Sequence, residues 1–94
     1  MKVKFAVYAY RNISYEEETF RVSGDFESIE EALSFKDLVE KTEVRNILMT
    51  NEVFVATIIE SLGDKINIPN IEPHEKYKEL LIKYGMLDCL KENL

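Results

Sequence analysis

The chain holds few side chains that do chemistry on their own. It has one histidine, His74, and one cysteine, Cys89, fifteen positions apart. A thiol–imidazole nucleophile needs the two groups within hydrogen-bond reach and a third group to orient the base. Fifteen residues of unbroken helix rise roughly 22 Å, so only a sharp break at Gly85 would bring this pair together. We therefore read His74 as a polar first-turn residue of a helix and Cys89 as a small apolar packing group. The same two residues fall short of the four ligands of a structural zinc site. Glu16, Glu17 and Glu18 are oxygen donors, but neighbouring side chains of an extended segment point to opposite sides, and no Asp-x-Asp-x-Asp-Gly loop is present. Acids on polar faces do not imply two carboxylates of different environment facing across a cleft. Gly24, Gly63 and Gly85 stand alone, which excludes a phosphate loop, a dinucleotide fingerprint and a Gly-x-Ser-x-Gly elbow. The expectation is a protein without catalytic residues, cofactor or metal.

Charge is the more informative chemistry. From Asn12 to Glu43 ten acids (Glu16, Glu17, Glu18, Asp25, Glu27, Glu30, Glu31, Asp37, Glu40 and Glu43) face three bases (Arg21, Lys36 and Lys41), net −7, in a chain of net −6. The first eleven residues carry Lys2, Lys4 and Arg11 and no acid. A field of one sign draws a partner of the other sign and repels nucleic acid and anionic membrane. Lys2, Lys4, Tyr8 and Tyr10 share one face of the first strand, with Arg11 just beyond, and such a face can stack bases. Those five residues are too few to offset the acidic stretch beside them.

The sequence thus predicts a small acidic, non-catalytic interaction module that inhibits or regulates a protein partner by occupying a basic surface, including one that normally holds nucleic acid. The expected contact set is Glu16, Glu17, Glu18, Asp25, Glu27, Glu30 and Glu31, with Tyr10 and Tyr15 as aromatic anchors. Direct contact with nucleic acid or membrane is not expected. A second reading is a structural subunit that forms a homodimer by pairing its hairpin edge with a copy of itself. A third is a small enzyme or ligand-binding domain using a pocket between sheet and helices. Salt separates the first two, because acidic docking weakens with ionic strength and edge pairing barely responds.

The elements that would position these residues read as one domain over 1–94, with 46% apolar residues to fill a core. A single cysteine suits a reducing compartment, and we expect a cytoplasmic protein. The apolar run Phe5 to Tyr10 is too short for a signal peptide, and no run approaches the ~18 residues of a membrane span. Residues 2–10 alternate as a strand, with Val3, Phe5, Val7 and Ala9 on one face. Arg11 to Glu18 reads as a polar connection, and Thr19 to Ser23 as a second strand ended by Gly24-Asp25, giving an antiparallel hairpin. Ser28 and Glu31 form a capping-box pair that opens a helix over about Ile29 to Lys41.

Val44, Ile47, Leu48, Asn51, Val55, Ile58, Ile59 and Leu62 fall on one helical face, with Gly63 as a C′ residue, and predict one helix from about Glu43 to Leu62. Against this, Val53 to Ile59 is rich in strand formers, and a strand over Val44 to Met49 or a second hairpin also fits. Lys65 to Ile71 reads as extended. A last helix follows Pro73, with Tyr77, Leu80, Leu81, Tyr84, Leu87 and Leu90 as its buried stripe and Gly85 as a break. The fold class is α+β: an N-terminal antiparallel hairpin followed by three helices packed on one face of a small sheet.

Overall fold

The computed structural model describes residues 3–59 and 75–90. Among them the chain is α+β, with a three-stranded antiparallel sheet and three helices. Strand β1 (Val3–Ile13) lies in the centre, flanked by β2 (Glu16–Arg21) and β3 (Glu52–Ile59). Helices α1 (Ile29–Val39) and α2 (Thr42–Leu48) come between β2 and β3, and α3 (Glu75–Lys83) is followed by a 3₁₀ turn at Leu87–Leu90. The expected extended stretch Lys65–Ile71, Pro73 and His74 lie outside the described residues.

The first hairpin is longer than its polar composition suggests. Arg11 to Glu18 is not a loose connection, because the ladder runs on through Arg11↔Glu18 and Asn12↔Glu17 to Ile13↔Glu16. Only Ser14 and Tyr15 form the loop, both with positive φ, 52° and 70°. A two-residue loop with both φ values positive is the type I′ geometry whose twist matches the flanking strands. The polar residues stay in the ladder because an edge strand buries few of its side chains. The Arg11 guanidinium pairs with the Glu18 carboxylate at 2.5 Å and lies over the Phe20 ring, 5.0 Å from its centroid.

The expected single helix over Glu43–Leu62 is overturned. Helix α2 stops at Leu48, and Met49 takes the left-handed conformation at φ 53°. The chain is then fastened to β1. The Asn51 N–H donates to the Tyr10 carbonyl at 2.8 Å, the Asn12 N–H donates to Asn51 Oδ1 at 2.8 Å, and the Thr50 hydroxyl lies 2.8 Å from the carbonyl oxygens of both Tyr10 and Glu52. Val53 to Ile59 then pairs with β1 along its whole length, from Ala9↔Val53 to Val3↔Ile59. Tertiary pairing decides the matter. A central β1 needs ladder partners on both edges, and the β-branched run supplies one.

The other elements follow their sequence signals. The Ser28 hydroxyl accepts from the Glu31 N–H at 3.3 Å and opens α1. Gly85 takes φ +70° just beyond α3, the cap that ends the helix before the 3₁₀ turn. One core cluster joins Val7, Ala9, Phe20, Val22 and Val53 of the sheet region with Ala32, Phe35, Leu38 and Val39 of α1, Val44 and Leu48 of α2, and Tyr77 and Leu81 of α3. No described helix is long and apolar enough to cross a membrane.

Beyond β2 the strand swells into a bulge. Val22 still donates to the Val7 carbonyl at 3.0 Å, and Phe26 exchanges both backbone bonds with Phe5. Between those pairs stand Ser23, Gly24 and Asp25 against Ala6 alone. The bulge turns the Val22 carbonyl away from β1, so its partner becomes the Tyr77 hydroxyl at 2.7 Å. The Val7 N–H finds the Ser23 hydroxyl instead at 2.8 Å, and the Gly24 N–H donates to the Cys89 carbonyl at 2.6 Å. Each buried polar group displaced from the ladder is satisfied by a named substitute, as burial requires.

Candidate functional site

The nine residues singled out from the sequence do not form one patch. Phe26 sits beside Phe5, and Glu16 beside Ile13, at the two ends of a nine-residue span of β1. At the strand rise this span is roughly 27 Å. Glu27, Glu30 and Glu31 therefore lie near one end of β1, and Tyr15 to Glu18 lie at the other. The run of acids in the sequence is split by folding.

Two of the acids near the start of α1 have a local role. Glu30 and Glu31 occupy its first turn, where negative charge complements the helix dipole, and the Glu31 carboxylate also accepts from the Ser28 hydroxyl at 3.3 Å. Glu27 is exposed just before Ser28. Asp25 is only partly exposed and lies inside the protein's own ion pairs. Its carboxylate takes the Arg21 guanidinium on one oxygen and Lys4 at 3.8 Å on the other, while Arg21 Nε donates to the Ser23 carbonyl at 2.7 Å. That arrangement clamps the bulge. It sets Asp25 apart from the open acids of the hairpin.

At the hairpin end, Tyr15 is 101% exposed and Glu16, Glu17 and Glu18 are all exposed. Alternation splits the three acids. Glu16 and Glu18 share the face of Arg11 and Ile13, where Met49 completes a shallow depression. Glu17 shares the opposite face with Tyr10. Burial first, and then the hydrogen bond and charge of Glu17, push the Tyr10 hydroxyl pKa up. Glu52 stands directly across from Tyr10 on β3 and adds a fourth carboxylate to this end of the sheet. Glu52 is absent from the expected contact set, because the segment that carries it reads as helix from its spacing.

The remaining reactive candidates are quiet. Burial, followed by the charges of Asp88 and Glu31, raises the Cys89 thiol pKa, which keeps it protonated and weakly nucleophilic. Among the described residues no three His, Cys, Asp or Glu side chains converge as a metal site. On the far side of α2 an open groove of about 410 Å³ is lined by Thr42, Arg45, Asn46, Met49 and Thr50, with no pair of titratable groups poised for proton transfer. Tyr84 donates to the Glu43 carboxylate, with Lys83 3.6 Å from the same oxygen and Lys41 over the Tyr84 ring. This cluster ties α2 to α3. No protein-family model, curated protein or solved structure matches the chain.

Proposed function

We propose that this protein is a non-catalytic interaction module that docks through its acidic hairpin onto a basic surface of a protein partner, and that the partner surface it occupies is one that would otherwise hold nucleic acid. The observation that carries the reading is the hairpin tip. Tyr15 stands fully exposed on a left-handed turn position and touches nothing in its own fold, with Glu16 and Glu17 beside it. A bulky residue pays for that backbone conformation, and solubility alone does not need an aromatic there. Tyr10, Glu17 and Glu52 extend the same charge and aromatic character along the sheet. The three helices form a layer over one sheet face in this reading, so the hairpin projects as the contact element. A reducing compartment, the cytoplasm, is its setting.

The test is affinity capture from the native cell at two salt concentrations, with Glu16→Lys/Glu17→Lys as the matched control. Exposed charges steer association and add little to folding. The captured protein should be lost both at high salt and on charge reversal, while the melting temperature stays within a degree or two of the parent. Capture that survives the reversal unchanged would sink the acidic-docking reading.

A further inference from the structure

We infer that the outer edge of β2 is a strand-addition site for a basic extended segment of the partner. This rests on the acidic-docking reading and specifies its mode. The register decides which backbone groups face outward. Phe5 and Val7 turn their N–H and C=O groups toward the β2 side, and Val22 is hydrogen-bonded opposite Val7. In an antiparallel ladder bonded pairs alternate, so Phe20, Glu18 and Glu16 bond back to β1. Glu17, Thr19 and Arg21 therefore present their N–H and C=O groups outward. Among the described residues no strand pairs with that edge.

The extent of the edge is set at both ends. The Ser14-Tyr15 turn closes one end. At the other the bulge begins, and the Gly24 N–H is already taken by the Cys89 carbonyl. A segment of about six residues matches the open stretch. Charge selects the occupant. Strand β2 carries three acids and one base, and that base, Arg21, is engaged by Asp25. A second copy would set acid against acid, which disfavours the self-pairing that open edges invite. A basic strand meets no such repulsion. Alternation places Glu17 on one side of the added strand and Glu16 on the other, next to the Arg11–Glu18 pair, so lysines or arginines on both faces of the partner segment find carboxylates. Backbone bonds would supply the pairing and charge the selectivity.

The test uses the full chain and a blocked hexapeptide, Lys-Val-Lys-Lys-Val-Lys, with lysines on both faces. A second peptide of the same sequence carries N-methyl groups on alternate amides, which keep the charge and remove the edge donors. Titration followed by amide hydrogen exchange should show protection at Glu17, Thr19 and Arg21, and the methylated peptide should bind about tenfold or more weakly, because three hydrogen bonds of roughly 1 kcal/mol each are at stake. Thr19→Pro removes only one outward N–H, is tolerated on an edge, and should weaken the parent peptide about fivefold, one bond's share of that loss, with the fold intact by circular dichroism. Equal binding of the two peptides, no binding of either, or protection elsewhere overturns the edge mode. If the peptides bind equally and Glu16→Lys/Glu17→Lys still weakens both, strand addition fails and acidic docking stands. If that reversal changes neither, both fail.

Discussion

Replacing Tyr15 with glycine should make this protein more stable and a poorer binder. Tyr15 holds φ 70° in the two-residue turn, beside Ser14 at φ 52°. The left-handed region costs a residue with a Cβ roughly 1–2 kcal/mol, and glycine avoids that cost. Glycine also gives the unfolded chain more freedom, which returns about 0.4–1 kcal/mol of the gain. No interior contact is lost, because the side chain is 101% exposed. The net expectation is a stabilisation of about 0.5–1 kcal/mol, or a rise in Tm of about 2–8 °C for a domain of this size. Urea denaturation followed by circular dichroism measures it, with the m-value checking that the unfolded state is unchanged. The same variant should hold the captured partner less well, since the aromatic anchor is gone. A loss of stability would refute the reasoning, because it would mean that the ring supports the fold. A gain in stability with undiminished capture would keep the turn argument and remove Tyr15 from the contact set.

Two further outcomes follow from the interior and the α2–α3 contact. Ser23→Ala should cost about 1–3 kcal/mol, since it leaves the fully buried Val7 N–H without the hydroxyl at 2.8 Å that replaces its ladder partner; a thermal melt within a degree of the parent would show that another acceptor takes over. The hydrogen bond from Tyr84, with Lys83 adding to it, holds the Glu43 carboxyl below its ordinary range. A depressed carboxyl contributes stability above its unfolded pKa of about 4.3, and that contribution is lost as pH falls through the lower folded value. Tyr84→Phe should therefore flatten this part of the acid limb of a stability–pH curve, and an unchanged curve would show that the contact is too exposed to matter.

Local signals in the sequence were reliable where one element sufficed to read them. Ser28 and Glu31 marked the start of α1, the stripe through Tyr77 and Leu81 marked the buried side of α3, and Gly85 marked the break after it. The helix predicted over Glu43–Leu62 failed because two periods coincide there. Val44 and Leu48 do face the core from a helix, and Val53 is buried from a strand. The discriminating residues are Met49, which takes the left-handed conformation, and the polar pair Thr50 and Asn51, whose side chains bond to β1 and to the start of β3. Nothing within the segment reveals that β1 needs a partner on that side. The candidate contact set suffered from the same limit. The seven acids of the contact set, close in sequence, fall into two groups at opposite ends of β1, while Glu52, distant in sequence, lies across from Tyr10.

The bulge links the core to the proposed contact edge. Its shape depends on substitutes from three places: the Ser23 hydroxyl for Val7, the Tyr77 hydroxyl of α3 for Val22, and the Cys89 carbonyl for Gly24. Arg21 and Lys4 then gather around Asp25 on the bulged chain. Tyr77 of α3 and Cys89 of the 3₁₀ turn thereby fix where the open part of β2 stops, and Asp25 holds Arg21, so that an approaching strand meets Glu16 and Glu17, with Glu18 held by Arg11. The edge is left acidic by a partly buried ion pair that engages its one base. Weakening that arrangement, even at Tyr77 deep in the core, should release Arg21 toward the edge and lower its preference for a basic strand without touching a single contact residue.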